Sequence, residues 1–284
     1  MSSPGHRIDL DAAAALIEPL TELVAQAGAA ILAIDRSTMS RAGKADGSPV
    51  TEADMAADRV IAQGLARLMP QVQTLSEERT HLAQLPCTSS FFLIDPLDGT
   101  KEFLAGRDEF TVNLALVTGG VPLLGIVGAP ALGLIWRGLV GRGAERLTIS
   151  GGGVGRAEPI RTRSFPASGA PWIAAVSRSH GDARSEAFIE RRPGAVRQVA
   201  GSAIKFCRVA EGAADIYPRL SPTCEWDVAA GHAVVAAAGG KVTDLAGAAL
   251  RFGTGAKDFI VPEFIAWGDG AAASSLAPPA GRGS

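Results

Sequence analysis

Tyrosine occurs once in the 284 residues and tryptophan four times, and all aromatics together make up 5% of the chain. That is too little to line a groove that stacks the bases of single-stranded nucleic acid. A basic excess is missing as well: 27 Lys and Arg stand against 29 Asp and Glu, a net charge of −2. Proteins that grip a phosphate backbone normally carry a positive surplus. The three cysteines (Cys87, Cys207 and Cys224) include no close pair. This excludes a disulfide framework or a zinc knuckle and points to a reducing compartment. The apolar N-terminal stretch, residues 8–34, is broken by Asp9, Asp11, Glu18 and Glu22. Neither a membrane-spanning helix nor a signal-peptide core is expected from it. The expectation is a cytoplasmic protein without an integral membrane segment.

What the chain does have is apolar content, 47% of residues, enough for a well-buried core in one large domain or two modest ones. Leu16, Leu20, Leu23, Val24, Ala27, Ile31 and Ile34 recur at helical spacing, with Pro19 expected to kink that helix or delay its start. A polar loop is expected over 40–49. Thr51-Glu52-Ala53-Asp54 then reads as a capping box that opens a second helix, ended by Pro70. Apolar runs at 91–94, 110–117, 123–127 and 134–140 read as strands, with Gly119-Gly120 as a hairpin turn. The GGGVG segment at 151–155 is taken as the boundary between an N-terminal α+β subdomain, 1–150, and a C-terminal α/β subdomain, 151–270. In the second part 172–176 reads as a strand, and 203–211 and 228–238 as helices. The Ala-, Gly- and Pro-rich end, 271–284, is expected to be a disordered tail. Alternating elements of both kinds predict a layered α+β or α/β protein.

The chemistry-bearing stretch is FFLIDPLDGTKEF, residues 91–103. An apolar strand runs into Asp95-Pro96-Leu97-Asp98-Gly99-Thr100, and two carboxylates stiffened by a proline can converge on one point. With a backbone carbonyl such as that of Leu97 they offer the oxygen ligands that Mg²⁺ prefers. The amides of Gly99 and Thr100 offer an anion site where a helix begins. The same residues also suit a plain turn. Further acids sit in comparable settings: Glu77-Glu78 after a short strand-like piece, Asp227 after Trp226 at a helix start, and Asp54 in the capping box. Each of the last two is equally readable as a helix cap.

Taken together, Asp54, Glu77, Asp95-Pro-Leu-Asp98-Gly-Thr100 and Trp226-Asp227, in this order and spacing, resemble the lithium-sensitive, Mg²⁺-dependent phosphatases that include inositol monophosphatase. The resemblance runs from the first helix to Gly240 and rests on LIDPLDGTKEF and EWDVAAGHAVVAAAGG. GSPVTEAD, LSEE, GRDEFTVNLALV, Ser177-Arg178-Ser179-His180 and GSAIKFCRVAEGAADIYPR are most similar to the 3′(2′),5′-bisphosphate nucleotidases of the CysQ type. The resemblance implies an inositol-monophosphatase-like α-β-α-β-α sandwich. Two or three Mg²⁺ ions are implied per site. One ion would be held by Glu77, Asp95 and the Leu97 carbonyl, and a second by Asp95, Asp98 and Asp227. Asp54 and Thr100 match the pair that activates water, and Lys44 would steer a third ion.

On the substrate side, the resemblance adds Glu77, Leu97, Asp98, Gly99, Thr100 and Asp227. Ser202 and Lys205, three apart on an expected helix face, would join them. So would Arg219 and His180, with Lys205 clamping the phosphate that is not cleaved. The implied reaction is hydrolysis of adenosine 3′,5′-bisphosphate to AMP and phosphate by metal-activated water, without a phosphoenzyme, in sulfur assimilation. The enzyme would be a monomer or homodimer acting on a small nucleotide, with no nucleic acid polymer as partner, peripheral to the inner membrane if attached at all. The alternatives are an inositol or other sugar phosphatase of the same fold, a metal-dependent nuclease, and a non-catalytic relative. Lys205 and the YPR segment weigh against the first, the near-neutral charge against the second, and the complete set of matching acids against the third.

Overall fold

A computed structural model describes residues 7–36, 41–43, 49–82, 87–150, 153–179, 181–255 and 259–276. Helix α1 (Leu10–Leu32) is followed by a small hairpin, β1 (Arg41–Gly43) and β2 (Pro49–Thr51), and then by helix α2 (Glu52–Leu68). The hairpin stands where a polar loop was expected. Next come β3 (Gln73–Ser76), a 3-10 stretch (Glu77–Leu82), β4 (Ser90–Asp98) and the short helix α3 (Thr100–Leu104). An antiparallel meander follows: β5 (Thr111–Thr118), β6 (Val121–Ala129), β7 (Leu134–Leu139) and β8 (Gly143–Ser150), with β9 (Gly153–Val154) and β10 (Glu158–Ile160) folding back onto β8. Gly119 and Gly120, both at positive φ, make the tight β5–β6 turn that the sequence predicts. The second half contains β11 (Trp172–Ser177), α4 (Ala183–Glu190), β12 (Ala195–Ala200), α5 (Ile204–Ala210), β13 (Ile216–Arg219) and β14 (Thr223–Cys224). It closes with α6 (Glu225–Ala237), β15 (Lys241–Asp244), β16 (Ile260–Val261), β17 (Phe264–Trp267) and α7 (Gly270–Leu276).

These elements stack in five layers, the α-β-α-β-α sandwich expected. The first sheet has the order β10-β8-β7-β6-β5-β4-β3, with β9 on β8, and so continues past residue 150 to Ile160. The second has the order β12-β11-β13-β17-β15. Helices α1 and α2 cover the outer face of the first sheet, α5 and α6 lie between the sheets, and α4 and α7 pack outside the second. Helix α1 has the length and composition of a membrane span. Here, however, Leu20, Leu23, Val24, Ala27 and Ile31 form one core with Ile61 and Leu65 of α2 and Leu114 and Ile126 of the sheet. Asp9 caps it by accepting from the Ala12 N–H at 2.9 Å, so the helix starts at Leu10 and runs on through Pro19, not after it.

The C-terminal expectation fails at 270–276. An alanine run is a good helix former, and Asp269 accepts from the N–H of Ala271 at 2.9 Å and of Phe165 at 3.0 Å. Ala272 and Ala273 are buried against the second sheet. Residues 277–284 lie outside those described.

Helix α6 explains its own composition. A helix held between two sheets is apolar around most of its circumference, and ten residues from Glu225 to Val235 are buried. Small side chains let it lie close to the first sheet. A Cβ added at Gly125 would stand 2.2 Å from the Ala230 carbonyl oxygen, and one at Gly138 2.8 Å from the Val234 Cα. Because these obstacles are backbone, Gly125→Ala must displace α6. We expect a loss of about 2–3 kcal/mol, the usual scale of overpacking, read as a lowered midpoint in urea. An unchanged midpoint would show that the contact gives way freely.

His232, on the same helix, is 6% exposed, and its Nδ1 has no hydrogen-bond partner among the described residues. Burial holds its pKa down to about 4, from an ordinary value of 6.5. Between these values the unfolded chain takes up a proton that the folded chain refuses, so stability falls as pH falls through the window. The full effect is about 3 kcal/mol at 1.36 kcal/mol per pKa unit. Unfolding free energies of wild type and His232→Gln, compared from pH 6.5 to pH 4, should shift by that amount in favour of the variant. A constant difference would refute the buried neutral imidazole.

Candidate active site

A regular strand sends side chains three apart to opposite faces, so Asp95 and Asp98 could not converge on an undisturbed β4. The register shows how they do. Asp95 pairs with Asn113 and Asp98 with Thr111, a step of three on β4 against two on β5. The extra residue is a bulge, and Pro96 falls within it, where a missing N–H does no harm. The Leu97 N–H folds back onto Asp95 Oδ1 at 3.0 Å. Parallel pairing of β3 with β4 sets Ser76 beside Ile94. The following residues, Glu77 just past the end of β3 and Asp95 still within β4, therefore stand side by side.

Asp227 comes from the opposite direction, in the first turn of α6. Its Oδ2 accepts from the Cys224 N–H at 3.0 Å and from the Thr223 hydroxyl, so capping engages this one oxygen of the carboxylate. Carboxylate oxygens of Glu77, Asp95 and Asp227 all lie within 4.8 Å of one another. Asp98 adjoins them, its pKa pushed up to about 7, first by burial and then by the charge of Asp227, with Lys205 opposing. Acids that burial and mutual repulsion drive toward protonation are relieved by a cation. The donor set, carboxylates with the Leu97 carbonyl, suits a hard divalent ion.

These groups line a cavity of about 350 Å³, together with Gly99, Thr100, Ser202, Lys205, Tyr217 and Arg219. Asp54, 2% exposed, stands behind it. Its Oδ2 accepts from the Thr51 N–H at 2.8 Å and the Thr51 hydroxyl at 2.6 Å, which completes the capping box. Its other oxygen, Oδ1, lies 3.2 Å from the Thr100 hydroxyl, which is also 3.2 Å from the Leu97 carbonyl. Each oxygen of Asp54 thus has its own task.

On the other wall, Lys205 is buried at 3% exposure and its ammonium donates to the Ser202 carbonyl at 2.6 Å. The Tyr217 ring centroid is 5.3 Å away. Burial lowers its pKa to about 8, against the pull of Asp98. Arg219 donates to the carbonyls of Ser221 at 3.3 Å and Pro222 at 3.2 Å at the cavity edge.

One expectation needs correcting. Ser202 and Lys205 do not share a helix face, because α5 begins at Ile204 and Ser202 precedes it at φ 48°. The serine hydroxyl turns instead to the carbonyls of Asp98 (2.9 Å) and Glu109 (3.0 Å), and its own carbonyl meets Lys205. Lys44 and His180 lie outside the described residues. Sequence reasoning misses Glu102, a buried acid of the cavity wall that accepts from the Ser179 hydroxyl, and the Tyr217 ring under Lys205. The only trace of Glu102 is an acid on the short helix that opens with Thr100.

Residues 11–279 match the inositol monophosphatase family. The 3′(2′),5′-bisphosphate nucleotidase CysQ of Escherichia coli K12 is 39% identical over 258 residues, 88% of this chain and 98% of that protein. Among solved structures, CysQ from Bacteroides thetaiotaomicron, a bacterial member of the inositol monophosphatase family, superposes with a TM-score of 0.74 at 32% identity, over 89% of this chain and 97% of that one. An IMPase from Thermotoga maritima gives 0.72 at 28% identity, over 92% and 94%. The sequence and the fold match over most of the chain's length, and the chain belongs to the inositol monophosphatase family.

Proposed function

We propose that the protein is a Mg²⁺-dependent 3′(2′),5′-bisphosphate nucleotidase that converts adenosine 3′,5′-bisphosphate to AMP and phosphate. The observation that carries this reading is Lys205. A buried ammonium facing the same cavity as the acid cluster is costly to keep, and it is suited to an anion other than the phosphate under attack. The CysQ relatives, named for bisphosphate nucleotidase activity, support the choice of substrate class.

Glu77, Asp95, Asp98, Asp227 and the Leu97 carbonyl would hold the metal ions. When bound, these supply Lewis-acid polarisation of the phosphoryl oxygens and charge neutralisation. The remaining steps belong to the chain. Thr100 orients the attacking water and passes its proton to Asp54 Oδ1, the oxygen left over by the capping box, as general-base catalysis requires. Lys205, held on one side by the Ser202 and Ala200 carbonyls, turns its remaining N–H to the second phosphate as a point charge. Arg219 supplies further positive charge at the rim.

Phosphate release from adenosine 3′,5′-bisphosphate and inositol 1-phosphate, side by side with Mg²⁺, tests the reading directly. The nucleotide should be strongly preferred, and chelation of Mg²⁺ should abolish turnover reversibly. A preference for the inositol ester would refute the substrate assignment. Lys205→Ala removes a charged hydrogen bond worth about 1.5–3 kcal/mol. It should therefore lower kcat/KM for the bisphosphate by about 10- to 100-fold and leave inositol 1-phosphate nearly unchanged, whereas equal losses would remove its assigned role. Asp95→Asn should cost about three orders of magnitude in kcat, several kcal/mol of cation-derived stabilisation, at an unchanged melting temperature. Near-normal turnover in that variant would overturn the shared-ligand arrangement.

A further inference from the structure

Two of the segments that mark the resemblance to bisphosphate nucleotidases, GRDEF at 106–110 and Ser177-Arg178-Ser179, supply nothing to the chemistry above. In the fold they grip one another. Arg178 Nε donates to Glu109 Oε2 at 2.6 Å and Arg178 Nη2 to Glu109 Oε1 at 3.0 Å, a two-pronged pair that joins the end of β11 to the start of β5. The same carboxylate accepts from the Gly201 N–H at 3.2 Å. Arg178 first, then the Gly201 N–H and Lys205, hold the Glu109 pKa below its ordinary value, so the group is a carboxylate at neutral pH.

The turn at 200–202 is pressed onto Glu109. A Cβ at Gly201 would stand 2.5 Å from the Glu109 carbonyl oxygen, so only glycine fits. Ser202 is kept in the left-handed region, which a serine rarely adopts, while its hydroxyl is shared between the Glu109 and Asp98 carbonyls. That conformation aims the carbonyls of Ser202 (2.6 Å) and Ala200 (3.5 Å) at Lys205 Nζ. A continuous path of hydrogen bonds therefore leads from Arg178 through Glu109 and the turn to the buried ammonium.

We propose that Glu109 is a positioning residue for substrate choice: it clamps the 200–202 turn and thereby aims Lys205 at the second phosphate of a nucleoside bisphosphate. The proposal deepens the reading of Lys205 given above and rests on it. Glu109 touches neither the acid cluster nor the reacting atoms, so its loss should change binding of one substrate class and not the chemical step.

The test compares Glu109→Gln with wild type and Lys205→Ala. Glutamine keeps the size but cannot serve both the Arg178 fork and the Gly201 N–H as a charged acceptor. KM for adenosine 3′,5′-bisphosphate should rise about 10-fold, the scale of one charged hydrogen bond. Meanwhile kcat, the Mg²⁺ activation constant and inositol 1-phosphate kinetics stay as they are. In parallel, the rate at which acetic anhydride labels the Lys205 amine, read by mass spectrometry against the exposed lysines, should rise several-fold.

Both results are required. An unchanged labelling rate, an unchanged KM, or an equal loss on the two substrates overturns the proposal and leaves Glu109 as a clasp of the fold only. If Lys205→Ala fails to distinguish the substrates, the reading of Lys205 falls, while labelling still shows whether Glu109 positions the amine. Arg178→Gln, at the exposed end of the path, should give the same split at smaller size, and it decides the matter if Glu109→Gln lowers the melting temperature.

Discussion

Carboxylates repel, and the fold gathers four of the five acids that line one cavity at the seam between its two sheets: Glu77, Asp95, Asp98 and Asp227, with Glu102 on the wall beside them. Each arrives by a separate backbone device. Parallel register delivers Glu77 beside Asp95, and a bulge in β4 turns Asp98 to the same side. The first turn of a helix buried between the sheets supplies Asp227. None of these devices relaxes easily, because β4 is paired on both sides, with β3 and β5, and α6 is packed between the two sheets. The repulsion is therefore held in place, and after burial it is the second cause that pushes Asp98 toward protonation. A cluster that cannot spread apart is one that a divalent cation stabilises strongly.

Rigidity of this kind has to come from the surroundings, and the small residues supply it. The AAGHAVVAAAGG run of α6 carries almost no functional groups, yet it fixes where Asp227 stands. Gly125 and Gly138 permit backbone contact on one side, and Gly231 lies under the Phe206 ring on the other. The polar residues follow the same economy. Asp54 caps α2 with one oxygen and faces Thr100 with the other, and Asp227 closes the first turn of α6 while facing the cavity.

That double use explains which parts of the site the sequence makes legible. The strand and acids of LIDPLDGT are readable because they are local: the apolar run stops, and the turn-forming residues and acids follow at once, whereas the bulge shows only in the pairing with β5. For Asp54, as a water activator, and Asp227, as a metal ligand, a cap reading competes with the functional one on sequence grounds, and in the structure capping engages one oxygen, Oδ2, of each. Contacts between distant residues stay hidden. Arg178 and Glu109 are 69 apart in sequence, and nothing local announces their pairing. Ser202 misleads for a related reason. Three-residue spacing suggests a shared helix face with Lys205, but the turn that clamps the segment pulls Ser202 out of the helix and into positive φ. Over 271–276 composition alone suggests disorder, and the Asp269 cap with buried Ala272 and Ala273 overrides it. The layered fold itself is legible because each strand-to-helix alternation leaves its own periodicity.

The cavity is also divided by origin. Most of the acids come from the first sheet and its neighbours, whereas Lys205, Tyr217 and Arg219 come from α5 and the second sheet. A change on the second side can therefore alter that wall of the cavity while leaving the acid cluster in place. The 200–202 turn is the point where the halves are tied: Ser202 bonds the Asp98 carbonyl, Gly201 bonds Glu109, and both belong to the first half. In the proposed reading, substrate choice rests on the lysine and, through it, on how firmly the two halves hold the turn that aims it.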